Sequence, residues 1–257
     1  MISSRELAPE RQGRVATYIR DRGAARIEEL VKVFDVAPAT VRRDLATLEE
    51  QGRIRRVHGG AVATESRLDE PLFDDKTSIA AREKRRIAEK ALTLIESGDT
   101  VYLDGGSTVL ELARLLTNRS DVTVVTNSLR AAIELSGRGP RLIFVGGELR
   151  RLSQTTVGTL TRLLLDQIHV DKAFMGTMGI SLPEGITTTD PNEAYTKELV
   201  LSRAAQSILL ADSSKAGKVT FAQSGDIRQI NTIITDKDFP AHLAKTLKKM
   251  GTELLRV

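Results

Sequence analysis

The sequence contains no cysteine. This absence excludes disulfide bonds, catalytic thiols and cysteine-ligated metals. The sequence also lacks an apolar run long enough to span a bilayer. Its first eleven residues carry two arginines and two glutamates where a secretion signal requires an apolar stretch. We therefore expect a cytoplasmic protein that has no membrane partner.

Histidine is also scarce, and its placement does not suggest a metal site. His58 has no metal-ligating neighbour at helical spacing, and His169 and His242 are isolated in the sequence. Since a metal site needs several ligands that converge, we expect the protein to bind no metal.

Length and charge suggest two parts. A chain of 257 residues exceeds the usual single domain, so two domains or one large domain are expected. The net charge is only +4, but residues 1–62 hold 12 basic and 9 acidic side chains, so most of the excess lies in the first quarter. This asymmetry is a slight indication that the N-terminal part binds a polyanion.

Helical periodicity predicts three helices in that first quarter. They cover residues 10–22, a stretch that begins after Arg26, and residues from Pro38 to Gln51. Two helices joined by a short turn can enter the major groove of DNA when the second exposes small and arginine side chains near its start. The side chains predicted to face DNA are Ala39, Thr40, Arg42 and Arg43.

A short β-hairpin is predicted directly after the third helix. Ile54 and Val57 can anchor it, while four basic side chains are free to reach a phosphate backbone. Any one of these would ordinarily be a solvated surface charge. Their position after a helix-turn-helix pattern favours phosphate contact instead. They are Arg53, Arg55, Arg56 and His58.

Residues 63–77 are polar and lack periodicity, so they are predicted to form a linker. A helix is predicted to follow over residues 78–96, with basic residues crowded at its start. These residues either form a solvated face, which is the commoner case, or lie near DNA. They are Arg82, Lys84, Arg85 and Arg86.

The stretch from Val101 to Thr108 combines an apolar strand, two glycines and the start of a helix. In this order, backbone N–H groups become available to an anion. The alternative is a tight turn whose hydroxyls merely cap the helix. The stretch alone does not decide between this turn and a site for a small phosphorylated or carboxylated metabolite, which would be formed here by Asp104, Gly105, Gly106, Ser107 and Thr108.

Strands and helices alternate after Gly98, which predicts a mostly parallel sheet covered by helices on both sides. Ligands bind beyond the carboxyl ends of such strands. Successive strand ends here carry small, hydroxylated and charged residues, which favours one shared site over unrelated turns. Asp104 would accept bonds from sugar hydroxyls, while Arg150 and Lys215 would counter a phosphate. The remaining candidates are Thr126, Asn127, Gly147, Thr189, Asp190, Glu193, Lys197 and Asp212, of which Thr189, Asp190 and Glu193 either close over the ligand or simply begin a capped helix.

Two stretches resemble one family. The run VAPATVRRDLATLEEQGRIRRVHGGA resembles the winged helix-turn-helix of the DeoR family of bacterial transcription regulators. Ala37 replaces a serine that commonly caps the recognition helix, a loss of about 1 kcal/mol. Ala39 replaces bulkier polar residues, which affects the operator sequence that would be recognised. The DGGST loop, the TN pair, GGELR, the T-x-D segment with Glu193 and Lys197, and ADSSK resemble the DeoR-type sensor domain.

The resemblance implies an α/β protein with a winged helix-turn-helix domain (1–62), a linker (63–77) and a sensor domain (78–257) similar in fold to ribose-5-phosphate isomerase and CoA transferases. It implies a regulator of sugar or polyol metabolism that binds double-stranded operator DNA as a homo-oligomer, a dimer or tetramer. A phosphorylated sugar would be its effector, with no other cofactor.

Three functions stay open at this point. The first is a repressor released by a sugar phosphate, and the second is an activator or a repressor that needs its ligand. The third is a sugar-phosphate isomerase fused to a DNA-binding module, with Asp104, Asp190, Glu193 and Asp212 as possible bases. The sequence identifies no acid and base pair among these carboxylates, so the isomerase is disfavoured.

Overall fold

The structure is a computed structural model that describes residues 8–22, 24–57, 59–63, 70 and 73–257. For Arg20, Asp21, Arg55 and Ala63 it describes the backbone alone. The chain divides into two compact units, Met1–Asp69 and Glu70–Val257.

The N-terminal unit combines three helices with a small antiparallel sheet. Its elements are α1 (Ala8–Arg22), β1 (Ala24–Arg26), α2 (Ile27–Phe34), α3 (Pro38–Glu50), β2 (Ile54–Val57) and β3 (Gly60–Ala63). β3 pairs with both β1 and β2. The turn between α2 and α3 is short because Asp35 adopts left-handed backbone angles and Pro38 begins the next helix. This is a winged helix-turn-helix.

The core of this unit is apolar, but one buried charge also holds it together. Ile19, Leu30 and Leu48 meet in the core at full burial. Beside them, Asp44 of α3 is 2% exposed. Its Oδ2 accepts a hydrogen bond of 2.7 Å from Arg11 Nε, and its Oδ1 accepts one of 2.9 Å from Gln12 Nε2. Asp44 therefore ties α3 to α1 instead of facing outward with the arginines that precede it.

The second unit is built on a parallel sheet. Its strands are β4 (Thr100–Leu103), β5 (Thr123–Thr126), β6 (Arg141–Phe144), β7 (Glu148–Arg150), β8 (Thr155–Val157), β9 (Val170–Met175), β10 (Gly179–Ser181), β11 (Gly185–Thr188), β12 (Ala204–Leu210), β13 (Ala222–Gly225), β14 (Thr232–Thr235) and β15 (Glu253–Arg256). Its helices are α4 (Phe73–Ser78), α5 (Ala81–Leu92), α6 (Ser107–Leu115), α7 (Leu129–Leu135), α8 (Thr159–Leu165), α9 (Pro191–Arg203) and α10 (Ala241–Lys249).

Seven of these strands form one sheet in the spatial order β15, β14, β12, β9, β4, β5 and β6. All of its neighbours pair in parallel. β7 and β8 form a separate hairpin, and β10, β11 and β13 form a small antiparallel sheet. Because every strand of the large sheet points the same way, the residues that follow its strands collect along one edge.

Side-chain alternation separates the core of this unit into two layers. On β4, Val101 and Leu103 enter one apolar cluster, whereas Tyr102 enters the other. The first cluster is covered by α5, α6 and α7, and the second by α8, α9 and α10. The buried sheet thus fixes the strand ends between two packed helical layers.

The predicted α/β class is confirmed, and the helices predicted over residues 10–22, from Pro38 and over residues 78–96 lie within four residues of their predicted bounds, as does the strand predicted from Val101. Several segments differ from the sequence interpretation. The strands β1 and β15, the hairpin β7–β8 and the sheet β10–β11–β13 were not predicted, because most of these short strands carry polar residues or glycine where the central strands carry an apolar run. Within the segment predicted as linker, Phe73 begins a helix and is buried against the first core layer.

The Asp44 contact generates a stability prediction. Asp44→Ala should destabilise the N-terminal unit by about 3 kcal/mol, because the guanidinium of Arg11 is left partly buried without its carboxylate. Hydrogen exchange of the α1 and α3 amides in the full chain would measure this. Glu50→Ala, which removes an exposed carboxylate from the same helix, should change exchange by less than about 0.5 kcal/mol. Equal protection in both variants would contradict the assignment.

Candidate functional site

One face of α3 is available to a partner. Ala37 precedes the helix and makes no side-chain cap, as the absence of serine there predicts. Four side chains of α3 are buried in the unit: Val41, Asp44, Leu45 and Leu48. The predicted DNA-facing residues lie on the other side, where Ala39, Arg42 and Arg43 are exposed and Thr40 is half-buried. The geometry fits insertion of the exposed face into a major groove.

The hairpin β2–β3 supplies further cationic groups. Arg56 is exposed, and its backbone N–H donates to Glu49 Oε1 at 2.8 Å. This bond fixes the start of the hairpin against the end of α3. Arg53 is half-buried. The Arg55 side chain and His58, which the sequence also assigned to DNA contact, lie outside the described residues.

In the second unit, polar groups follow the strands β4, β5, β9 and β12. We call them the strand-end site, which comprises residues 104–108, 126–127, 176 and 212–215. At its centre, Asp104 is 3% exposed. Its carboxylate pairs with the ammonium of Lys197 on α9 and accepts the Gly176 N–H at 2.8 Å. Lys197 Nζ also donates to the Gly176 carbonyl at 3.0 Å. The pair therefore joins the ends of β4 and β9 to α9.

The glycine loop after Asp104 makes room for close approach to the backbone. Gly106 has a φ of +117°, and a Cβ on Gly105 would overlap the Thr155 methyl group. Ser107 and Thr108 form the first turn of α6 and are buried, while no side chain caps this helix. The first N–H groups of a helix lack internal partners, so this turn offers donors to an anion.

The end of β5 contributes an acceptor that lacks a donor. Thr126 Oγ1 donates to the Leu103 carbonyl at 2.6 Å, which fixes β5 to β4. Asn127 Nδ2 donates to the Thr156 carbonyl at 2.9 Å. Its Oδ1 is fully buried and has no hydrogen-bond partner among the described residues. Because an unpaired buried acceptor is costly, this oxygen is suited to a hydroxyl supplied by a ligand.

Arg150 is placed differently from what the sequence suggests. Its guanidinium contacts three carboxylates: Glu70 Oε2 at 2.7 Å, Asp190 Oδ2 at 3.2 Å and Glu193 Oε1 at 3.4 Å. Since all these partners are anions, the guanidinium is already neutralised within the protein. This geometry favours a structural role for Arg150 over the predicted contact with a phosphate.

The start of α9 is held by the same cluster. Asp190 caps the helix by accepting the N–H groups of Asn192 and Glu193 at 2.9 and 3.0 Å. Glu193 accepts hydrogen bonds from Thr188 Oγ1 at 2.8 Å and from Thr155 Oγ1 at 3.3 Å. These contacts match the alternative of a capped helix start.

Two other predicted residues lie close to this cluster. Thr189 Oγ1 donates to Glu70 Oε2 at 2.6 Å. Gly147 is exposed in the turn between β6 and β7, and a Cβ there would lie 2.9 Å from the Val157 carbonyl oxygen. Since Val157 ends β8, Gly147 permits the two strands of the hairpin to close against each other.

Lys84 is a residue that the sequence interpretation placed wrongly. The sequence pattern groups it with the arginines at the start of α5 as solvated or DNA-facing, but it is 4% exposed. Arg85 and Arg86 are indeed exposed and pair with Glu89 and Glu83. The helical spacing of Lys84 with Ile87, Ala88 and Ala91 was the signal that could have found it.

The charges that act on Lys84 include Asp212 and Lys215, which follow β12, so we count Lys84 as part of the strand-end site. Burial lowers the pKa of Lys84 to about 8, because removal from water disfavours the ammonium. Asp212 opposes this shift, whereas the like charges of Lys215 and Lys76 add to it. Asp212 follows β12 and caps the turn Ser213–Lys215. The strand-end site thus holds a buried ammonium group together with a second lysine.

In the described part of the chain, no group of three or more histidine, aspartate or glutamate side chains is placed to bind a metal ion. The carboxylates of Asp104 and Glu193 are instead paired with Lys197 and Arg150.

Among the described residues, no helix is both long and apolar enough to cross a membrane.

Comparison with known families agrees with both units. Residues 11–67 match the DeoR-like helix-turn-helix domain, and residues 79–237 match the DeoR C terminal sensor domain. The chain belongs to the DeoR family of transcriptional regulators. Its first unit is a DNA-binding domain and its second is a domain that senses a small molecule.

Relatives of similar length support the assignment. The chain is 34% identical over 247 residues to the uncharacterized HTH-type transcriptional regulator FruR of Bacillus subtilis. This match covers 95% of this chain and 98% of that protein. The chain is 34% identical to a putative aga operon transcriptional repressor of Escherichia coli O157:H7, and the match covers 96% of this chain and 93% of that protein. It is 36% identical to a lactose phosphotransferase system repressor of Staphylococcus epidermidis, and the match covers 89% of this chain and 92% of that protein.

Among solved structures, the chain is similar to ribose 5-phosphate isomerase A of Methanocaldococcus jannaschii. The TM-score is 0.41 at 21% identity, and the match covers 53% of this chain and 55% of that chain.

The exposed face of α3 generates a binding prediction. Arg42→Ala or Arg43→Ala should weaken binding to operator DNA by about tenfold or more, because one arginine contact to DNA contributes roughly 1–3 kcal/mol. Fluorescence anisotropy with a duplex selected from a random pool on the wild-type protein would measure it. Arg228→Ala, which removes an exposed arginine of the second unit, is the control and should bind normally. Unchanged affinity in both α3 variants would refute the interface.

The buried ammonium generates a second prediction. Lys84→Met should stabilise the ligand-free protein at pH 7 by on the order of 2 kcal/mol, because the folded state no longer buries a charge. The folded pKa of Lys84, about 8, lies below its unfolded value of 10.5, so wild-type stability rises as the pH increases through this window. The advantage of the variant should therefore be largest below pH 8 and shrink towards pH 10.5. Denaturant unfolding at a series of pH values tests this, and a variant less stable than wild type at pH 7 would contradict it.

Proposed function

We propose that the protein represses a sugar or polyol catabolic operon and that a phosphorylated sugar, bound at the strand-end site, relieves the repression. The observation that carries the proposal is the burial of Lys84, which is 4% exposed and whose pKa is lowered by burial and by the like charges of Lys215 and Lys76. Perturbed pKa values cluster at functional sites, so a buried cation near the strand ends supports a ligand site there. The names of two relatives, repressors of an aga operon and of a lactose phosphotransferase system, support a carbohydrate.

The phosphate would bind at the first turn of α6. The N–H groups of Ser107 and Thr108 are donors there, and Lys84 and Lys215 supply positive charge. A phosphate at this position would remove the mutual repulsion of the lysines by neutralising them. This role replaces the one that the sequence assigned to Arg150.

The sugar hydroxyls would bind at the ends of β4 and β5. Asn127 Oδ1 is the acceptor that has no partner among the described residues. In the Asp104 carboxylate, Oδ2 accepts from Lys197 and Gly176, and Oδ1 is the second oxygen that would accept from a sugar hydroxyl. Both oxygens accept and neither donates, which matches a ligand that presents several hydroxyls.

Relief of repression by a ligand requires that ligand binding and operator binding be thermodynamically coupled. A ligand relieves repression only if it binds more tightly to a form of the protein with low operator affinity, and the operator must weaken ligand binding by the same factor. An operator read by paired copies would require a homo-oligomer, a dimer or tetramer.

An isomerase is the weaker candidate. Proton abstraction needs a carboxylate free to exchange a proton with the substrate. Asp104 is paired with Lys197, Asp190 caps α9, Glu193 contacts Arg150, and Asp212 caps a turn, so each of the four carboxylates is engaged in structure. We therefore propose a sensor without catalytic activity. Turnover of ribose 5-phosphate by the purified protein would overturn this part of the proposal.

A titration with phosphorylated metabolites tests the proposed ligand. Fructose 1-phosphate, galactose 6-phosphate, ribose 5-phosphate and glycerol 3-phosphate should include at least one that raises the melting temperature and weakens operator binding. Lys215→Ala should keep wild-type affinity for the operator and lose the response. Absence of a response to every phosphorylated compound, or a wild-type response in Lys215→Ala, would refute the assignment.

A further inference from the structure

A carboxylate at the start of the second unit is buried inside that unit. Glu70 is the first residue of the unit, yet its side chain is only 1% exposed. Its Oε2 accepts hydrogen bonds from Arg150 Nη2 at 2.7 Å and from Thr189 Oγ1 at 2.6 Å, and its Oε1 pairs with Lys76. We call Glu70, Lys76, Arg150 and Thr189 the Glu70 clasp. A carboxylate is buried in this way only when its partners outweigh desolvation.

The clasp holds Glu70 in its charged form. Burial by itself raises the pKa of a carboxyl group, but Lys76, Thr189 and Arg150 outweigh this effect and keep the pKa of Glu70 below its usual value. Glu70, which directly follows the DNA-reading unit in the sequence, is therefore anchored by ionic contacts.

Two sets of contacts lead from the proposed phosphate position to the clasp. In the first, Lys84 Nζ donates to the backbone carbonyl of Lys76, whose own ammonium holds Glu70. In the second, Gly105 packs against Thr155, which donates to Glu193, and Glu193 contacts Arg150. Both end on a cation that binds the Glu70 carboxylate.

We infer that the Glu70 clasp couples the strand-end site to the DNA-reading unit. A phosphate that draws the Lys84 ammonium towards the first turn of α6 moves it away from the Lys76 carbonyl, and this loosens α4 and releases Glu70. The closed clasp corresponds to the form with high operator affinity, and the open clasp to the form with low affinity. This inference rests on the proposed function, since it takes the effector to be an anion bound at Lys84.

The test removes the charge of Glu70 while retaining its shape. Glu70→Gln in the full chain should imitate the effector, with operator affinity about tenfold weaker than wild type before any ligand is added, and with little further loss on adding the most active sugar phosphate of the panel. Asp74→Asn is the matched control, because it removes an exposed carboxylate four residues away that pairs with Arg130. The control should bind operator and respond as wild type does.

The outcomes separate the clasp from the proposed effector. Wild-type operator affinity in ligand-free Glu70→Gln, with or without a response to sugar phosphate, overturns the clasp. Failure of every phosphorylated compound to affect the wild-type protein refutes the proposed function, and the ligand-free comparison of Glu70→Gln with Asp74→Asn still tests the clasp. If Glu70→Gln does not fold, Lys76→Met removes one cation from the clasp and should weaken operator binding in the same direction, and unchanged binding overturns the inference.

Discussion

Burial of the Lys84 ammonium beside Asp212 and Lys215 is the physical constraint from which the functional account follows. The nearby Asp212 compensates only part of the cost, as the lowered pKa of Lys84 shows. An anion that enters the site recovers this cost as binding free energy, so the folded protein is prepared for a ligand of opposite charge. The parallel sheet makes this possible, because it brings the ends of β4, β5, β9 and β12 to one edge between two packed helical layers.

The site therefore separates into two kinds of contact. Some polar groups are satisfied within the protein, such as Arg150 with its carboxylates and Asp190 with the first N–H groups of α9, and these fix the positions of β7 and α9. Others lack a full set of partners, namely the first turn of α6 and Asn127 Oδ1. The first kind supplies rigidity, whereas the second is left for a ligand. A rigid site with few unsatisfied groups is well suited to selective binding.

The sequence predicted the architecture well where periodicity was long. The strand, glycine turn and helix from Val101 onward, and the helix that begins at Pro38, lie close to their predicted positions. Contacts between residues far apart in the chain were not predictable from local patterns. Glu70 meets Arg150, and Arg11 meets Asp44, only after folding, and each of these side chains alone resembles an ordinary surface charge. The burial of Lys84 was predictable in principle from its position on the apolar stripe of α5, but its basic neighbours obscured it.

The most direct test of the central claim is a crystal structure of the protein with the sugar phosphate that gives the largest thermal shift. Our account predicts the phosphate at the first turn of α6, within hydrogen-bond reach of the Ser107 and Thr108 N–H groups and of Lys84 Nζ. A phosphate bound at Arg150 or outside the strand-end site, with Lys84 still donating to the Lys76 carbonyl, would contradict it.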